Sequence, residues 1–445
     1  MNASPCRSAC LGLLLAFLGC PSPSDSPGGG GGGGGGGGTP SGDRVRGSLF
    51  YQARFPSVAG GAITLDTLET LPAVGAAAVV IDAGGEVIGM AQVDGDGNFD
   101  VPLQRDLAGG ELLIFTTLWA PTLQSSGIFL AVLQPPVDGP GTYEPGSATS
   151  APWAWVAQVP DGGDVGRVEI REEQGSGALY VFLFMIAAQA TILEDLCNGN
   201  EDCLVSVGIL WYPGVNWTCG ACYSRETPQQ IQNGPEMRQS IFLAGGAQES
   251  SAWGFTVTLH EFGHSVAANY SRDDSPGGPH GFGQTIAPAF AWSEGWASFF
   301  AVSTFSRWIG EPFPMYWDIQ EGNSLWIDYD AMTYFGGDLV RPDPGAGMAQ
   351  NLDESYVVSM LWHLWDGADV AEGNAWNDGI AIGTDRVLRA FGSERMTRWD
   401  RGGEGADFVD FLDALLCAEG GQTGSVTRMV TEGLGFPYDG QPGCP

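Results

Sequence analysis

Apolar positions along the chain follow three different rhythms. Between residues 45 and about 160 they come in short alternations broken by glycine and aspartate. Val79-Val80-Ile81 precede Gly84-Gly85 and then Val87-Ile88, and Asp94-Gly95-Asp96-Gly97 lead into Phe99-Asp100-Val101. Period-two alternation with turn-forming residues between predicts short strands joined by tight turns. Residues 176–193 are eighteen positions without a formal charge. Gln189 and Thr191 lie inside this run, Glu172-Glu173 and Glu194-Asp195 flank it, and no basic residue marks a cytoplasmic side, so a buried helix opening a second domain is expected rather than a membrane span. Further on, residues 205–211 and 240–243 read as strands, while most of what remains is helical in period. The fold class expected is an all-β region over 44–165 followed by an α+β, mostly helical region over 166–445.

A fourth apolar run, residues 11–18 after Arg7, has the length of a signal-peptide core and is too short to cross a bilayer. It ends in Phe17-Leu18-Gly19-Cys20, which resembles the lipobox of bacterial lipoproteins. That resemblance implies a signal peptide over 1–19, a diacylated Cys20 and membrane attachment through its lipid, with simple secretion as the alternative. Pro21 stands where many such proteins carry the aspartate that favours retention at the inner membrane, so an outer-membrane or cell-surface address is expected. Residues 20–43 then hold Pro-Ser-Pro-Ser-Asp-Ser-Pro and eleven consecutive glycines, Gly28 to Gly38. Such a segment cannot bury a core and acts as a tether with a reach on the order of 25–30 Å.

Charge narrows the functions available. Among 445 residues, 52 acidic side chains face 18 basic ones, all of them arginine, for a formal net charge of -34. Such a surface has nothing to replace the counterions of a nucleic acid, and the absence of lysine removes Schiff-base and P-loop chemistry. The acidity fits an extracytoplasmic surface and is compatible with structural Ca2+. Six cysteines lie beyond the leader: Cys197, Cys203, Cys219, Cys222, Cys417 and Cys444. An even number in an exported chain argues for three disulfides, with Cys417 to Cys444 the favoured pair; an all-cysteine zinc site for the first four fits no common spacing. The strand pattern around residues 75–101 resembles transthyretin-like or carboxypeptidase-regulatory-like sandwiches. Asp94-x-Asp96-x-Asn98 imitates a calcium loop, but Phe99 and Arg105 stand where such a loop needs Gly and Glu, so a hairpin turn is expected.

The chemistry concentrates in His260-Glu261-Phe262-Gly263-His264, inside the apolar stretch 255–268, with Ser250 or Ser251 available as N-cap. Positions four apart share a helix face, so two imidazoles converge as nitrogen donors and Glu261 stands beside them as a general base. With four histidines in the chain, chance would produce this pattern with a probability of about 0.002. Zinc needs a third protein ligand. A metzincin would place Gly and His where Ala267 and Tyr270 stand. Glu294, in Trp292-Ser293-Glu294-Gly295-Trp296-Ala297-Ser298, opens a second helical segment and can complete a set of two imidazoles and one carboxylate. His280 is the rival, on a Gly-Pro-His-Gly loop that makes a poorer platform.

With Glu294 the chain resembles the gluzincin metallopeptidases, the fungalysin and thermolysin-like group in particular, and Glu-Gly-Trp-Ala-Ser is similar to the aminopeptidase branch. The resemblance implies a Zn2+ enzyme, an endopeptidase, acting on protein or peptide substrates. Two departures stand out: the 29 residues between His264 and Glu294 imply an inserted loop, and Ser298 replaces the aspartate that orients a ligand imidazole, leaving that support to come from elsewhere. For the oxyanion donor that gluzincins carry, His363 in the segment 356–366 is the candidate, with Tyr329, Tyr334 and Tyr356 as alternatives and a plain core helix as the competing reading. The alternative function is a surface binding or adhesion lipoprotein whose zinc fold no longer turns over. Oligomeric state is not legible.

Overall fold

The computed structural model describes residues 44–444 apart from 60–61, 108, 120–127, 247–249, 321–322, 335–336, 367–379 and 420–422. The leader, Cys20 and the glycine tether lie outside the described residues. Extensive β-sheet in the N-terminal half gives way to a helical C-terminal region. The chain divides into two compact units: the first runs to Ile186 and takes in Ser206–Thr218 and Ser224–Gly246, and the second holds Ala187–Val205, Cys219–Tyr223 and the chain from Ala247.

In the first unit, strand β1 (Arg44–Ala59) alternates a buried row, Val45, Leu49, Tyr51 and Ala53, with residues facing outward. One of its edges pairs with β5 (Asn98–Pro102) along Arg44 to Ser48 and with β2 (Ala62–Pro72) from Phe50 onward; the other pairs in parallel with β9 (Asp164–Ile170). A second four-stranded sheet has the order β8 (Ala154–Val159), β6 (Gly110–Phe115), β3 (Ala77–Asp82), β4 (Val87–Gln92), antiparallel throughout. The Asp94 turn enters β5 as a hairpin: the Asp94 carboxylate accepts hydrogen bonds from the backbone N–H groups of Asp96, at 3.0 Å, and Asn98, at 2.7 Å.

A third sheet departs from the expected boundary at residue 165. Strand β10 (Val207–Leu210) lies between β7 (Ile128–Gln134) and β11 (Gln239–Phe242) and is parallel to both. All four residues of β10 and all four of β11 are buried, the run of unbroken burial that parallel strands covered on both faces display. Sequence read locally assigns these strands to the following domain, because their partner β7 lies some eighty residues upstream. Helix α1 (Gly177–Asp195) is long and apolar enough to cross a membrane, yet 89% of its apolar window is buried inside the structure, and the division between units falls within it. It does not simply open the second unit.

Three of the helices described in the second unit come together at its centre: α2 (Phe255–Tyr270), α3 (Pro288–Ile309) and α4 (Glu354–Trp365). Every residue of α3 from Ala289 to Ser306 is buried, which makes it the central helix. Its start is set by Pro288 in the first turn and its end by Gly310 in the left-handed conformation. Among the described residues three disulfides are present, Cys197–Cys203, Cys219–Cys222 and Cys417–Cys444. The last is the pair favoured from sequence, and together they fit an oxidising, extracellular compartment.

Two glycines fix how closely the three helices pack. A Cβ on Gly263 of α2 would lie 2.7 Å from the Ala297 Cα and 2.9 Å from its carbonyl oxygen on α3. A Cβ on Gly295 of α3 would lie 2.7 Å from the Val357 Cβ and 3.1 Å from the Glu354 carbonyl oxygen on α4. At position 263 the obstacle is backbone, which no rotamer change can move aside. Gly263→Ala gains about 1 kcal/mol of helix propensity but forces α2 and α3 apart, at a typical overpacking cost of 1–3 kcal/mol. Net destabilisation of up to about 2 kcal/mol is therefore expected in urea melts, and a stabilised variant would show that the helices are not in contact there.

Candidate metal centre

Helix α2 begins at Phe255 with Gly254 as N-cap, and no side chain caps it. Ser250 and Ser251 do not serve as expected, because they lie four and three residues ahead of the N-cap, in a turn whose carbonyls accept from the N–H groups of Trp253 and Gly254. The helix places His260 and His264 one turn apart on one face, with Nε2 atoms 3.1 Å from each other. Across the Gly263 contact, α3 delivers Glu294, whose Oε2 lies 3.3 Å from His260 Nε2 and 3.2 Å from His264 Nε2. The sequence-predicted trio is thus brought together in a buried corner. Four-coordinate zinc with bonds of about 2.0–2.1 Å holds neighbouring ligand atoms about 3.3–3.4 Å apart, so the spacing of the three donors suits one ion of that kind. The group can hold a metal ion.

Electrostatics point the same way. Burial drives the His260 imidazole down to about 4, so it stays neutral and keeps its lone pair. Burial also works against charge on His264, but the Glu294 carboxylate outweighs it and raises that imidazole to about 9. Glu294 is held well below the usual carboxylate range, because His264 and His260 overcome the cost of burying it. Glu261, 6% exposed, is pushed up to about 8 chiefly by burial, with repulsion from Glu294 and Asp318 added. The side chains by themselves therefore hold protons where a cation would displace them, and binding is expected to release protons.

His260 is oriented through its other nitrogen. Its Nδ1 lies 2.9 Å from Ser298 Oγ, one turn along α3 from Glu294. The residue expected to leave the imidazole unsupported is thus the one that supports it, and a neutral hydroxyl does the work of a carboxylate. With Nδ1–H donating to Ser298, Nε2 presents its lone pair to the corner shared with His264 and Glu294. The Ser298 hydroxyl faces the buried Tyr329 hydroxyl behind it.

His280 also reaches the cluster. Its Nε2 is 3.4 Å from the same Glu294 Oε2 and 3.2 Å from Oε2 of Glu354, the first residue of α4. Glu354 is a residue the sequence reading missed; the only available signal is an acidic side chain at the entrance to the apolar run that begins at Tyr356. Strands β12 (Thr285–Ile286) and β15 (Leu352–Asp353) pair antiparallel and tie the His280 loop to the start of α4, where Asp353 caps the helix by accepting from Ser355 N–H. Glu354 is held well above the usual range by burial and by the neighbouring Glu294 charge.

His363 is not brought to the cluster. It follows Glu354 by nine residues on α4, which is about half a turn around the helix and about 13 Å along it, so the two side chains leave from opposite faces. It is buried and acts on Asp328 instead. Of the tyrosine alternatives, Tyr356 donates to the Leu434 carbonyl and Tyr329 stands behind Ser298. The Tyr334 hydroxyl lies against Gly283 in the loop before α3.

A phenol that sequence did not single out sits closer. Tyr316, on β13 (Met315–Gln320), has its ring 6.1 Å from that of His260 and is nearly fully buried. The Thr256 hydroxyl anchors this strand to α2, donating to the Trp317 carbonyl and accepting from the Trp317 N–H at 3.2 Å. Alternation along the strand turns Tyr316 and Asp318 to one side. Burial, with the charges of Asp318, Glu261 and Glu354, keeps the Tyr316 hydroxyl protonated far above neutral pH.

No protein-family model matches the chain, and no curated protein matches it either.

Removing the hydroxyl at position 298 leaves all three donor residues in place but releases the His260 ring. Ser298→Ala is expected to weaken metal binding about 10- to 100-fold in competition with a chelator. Unchanged affinity would mean that Ser298 does not orient the ligand.

Proposed function

We propose that this chain is a zinc-dependent peptidase of the gluzincin kind, exported and held at the cell surface by a lipid on Cys20 through the glycine tether. The observation that carries the reading is the convergence of His260 Nε2, His264 Nε2 and Glu294 Oε2 at 3.1–3.3 Å, with the buried carboxyl of Glu261 on the adjacent helix position. Two imidazoles and one carboxylate are a donor set that suits Zn2+ and leaves a position open for reaction. When bound there, zinc supplies Lewis acidity, polarising a peptide carbonyl and acidifying water.

The chain's own residues then have separable tasks. His260, His264 and Glu294 fix the site, and Ser298 holds the His260 ring in the donor tautomer. Glu261 accepts the proton of the attacking water and passes it to the amide nitrogen of the leaving product. Its raised affinity for protons suits this task once a divalent cation nearby draws it back toward neutral pH. Tyr316, rather than His363, takes the part of hydrogen-bond donor to the developing oxyanion, because it is a neutral buried donor beside both His260 and Glu261. The strand-rich first unit serves as an accessory domain.

Casein or a peptide library, incubated with the wild type and with Glu261→Gln at equal zinc content, tests the reading. A loss of about 10²-fold or more in the variant is expected. Equal rates in both proteins, or no cleavage by either, overturn it in favour of a non-catalytic metal-binding surface protein. Tyr316→Phe separates the donor assignment from the rest: kcat is expected to fall about 10²- to 10³-fold with zinc content unchanged, and an unaffected kcat removes Tyr316 from the mechanism.

A further inference from the structure

We propose that the second unit holds a second divalent cation, bound by His280 and Glu354 and sharing the Glu294 carboxylate with the first. The inference rests on the reading of His260, His264 and Glu294 as a metal centre, since Glu294 belongs to both groups. Its ligand atoms are again close: His280 Nε2 to Glu354 Oε2 is 3.2 Å, His280 Nε2 to Glu294 Oε2 is 3.4 Å, and all three lie within 4.8 Å of one another. The two His280 separations are those that short metal–ligand bonds impose, and they match the separations in the first trio.

Two features aim this second group at a cation. The Glu354 side chain is 4% exposed, and although its Oε2 lies 3.2 Å from His280 Nε2 it makes no hydrogen bond of acceptable geometry. A buried carboxylate oxygen with such poor satisfaction is costly unless a positive species stands before it. His280 meanwhile is turned as a ligand is turned: its Nδ1–H donates to the Gly278 carbonyl at 3.1 Å, so that Nε2 carries the lone pair facing the two glutamates. The His280 Nε2 lone pair thus faces Glu354 Oε2 at 3.2 Å and Glu294 Oε2 at 3.4 Å, a set of donors held together by protons that a cation bound to all three would displace. A divalent cation resolves the arrangement.

The donor set names the class of ion. One imidazole and two carboxylates favour Zn2+ or Mn2+, whereas Ca2+ takes six to eight oxygen ligands. Two ions bridged by one carboxylate stand about 3.5–4 Å apart, the separation used by two-metal hydrolases to clamp one substrate from two sides. The pairing of β12 with β15 makes the second site part of the fold rather than a chance approach of a loop, since it fixes the His280 segment to the residue immediately before Glu354.

The test counts metal in the full chain after saturation with Zn2+ or Mn2+ and removal of excess, by elemental analysis, with circular dichroism to confirm that each variant is folded. Two ions per wild-type chain are expected, and one in Glu354→Gln and in His280→Ala. The Mn2+-loaded wild type is expected to show an exchange-coupled electron paramagnetic resonance spectrum that both variants lose. One ion per wild-type chain overturns the proposal, whether its affinity is unchanged in the two variants or falls in His280→Ala, the latter marking His280 as an extra ligand of a single ion. No ion bound under any condition would instead remove the first metal centre along with the second.

Discussion

The site exists because three helices are allowed to touch backbone to backbone. Gly263 against Ala297, and Gly295 against Val357 and the Glu354 carbonyl, are approaches that any side chain would prevent. Each glycine is the immediate neighbour, or nearly so, of a functional residue: Gly263 precedes His264 and Gly295 follows Glu294. A helix pair held even a methyl group further apart would move Glu294 away from the two Nε2 atoms by a distance comparable to the tolerance of a metal–ligand bond. The same residues that look like spacers in His-Glu-Phe-Gly-His and Glu-Gly-Trp therefore set the geometry of the donors, and the burial of α3 on every face is what makes that geometry rigid.

Around this contact the protein gathers more charge than a single ion would balance. Glu261, Glu294 and Glu354 all stand in or beside the cluster, and among the described residues the two glutamates that touch the histidines have no arginine as an ion-pair partner. Burying carboxylates without compensation is expensive, and protons or cations must make up the difference. The upward displacement of Glu261 and Glu354 and the downward displacement of Glu294 are one effect seen from three positions: a limited supply of positive charge, drawn to the carboxylate nearest the imidazoles. Ser298 fits this economy of charge. An aspartate in its place would add a further buried negative group behind His260, whereas a hydroxyl orients the ring at 2.9 Å without one.

How much of this was legible in the sequence depends on whether the signal is local. Two histidines four apart on an apolar helix are a local fact, and the corner formed by His260, His264 and Glu294 follows from helix geometry plus one downstream glutamate. The terminal disulfide between Cys417 and Cys444 was readable for the same kind of reason, being one pair close to the chain end. Non-local facts were not. Strand β10 joins β7 in parallel across some eighty residues and carries β11 on its other edge, and nothing within either strand announces its partner. Glu354 precedes the apolar run that drew attention to α4, and His363 drew it instead because histidine is the more conspicuous residue type; helical phase, which needs a fixed reference point, was what separated them. Tyr316 depends on the anchoring of β13 by Thr256, a contact between residues 61 positions apart.

The placement of His280 bears on how such a site would meet substrate. It comes from the long segment between α2 and α3, the segment whose length set this chain apart from the group it resembles. Were that segment only an inserted loop, its histidine would be indifferent to the helices. Instead its far end is paired with the strand leading into α4, and its imidazole stands over Glu294 and Glu354, partly covered although the residue itself is exposed. The insertion thus forms one wall of the centre. A wall that carries a ligand narrows the approach to the open side of the first trio, so selection among peptides would be exercised by the residues flanking His280 and by Phe282, whose ring packs 5.7 Å from that of Tyr316. On the proposed reading, specificity and metal geometry would be lodged in the same segment, and changes in its length or sequence would alter both together.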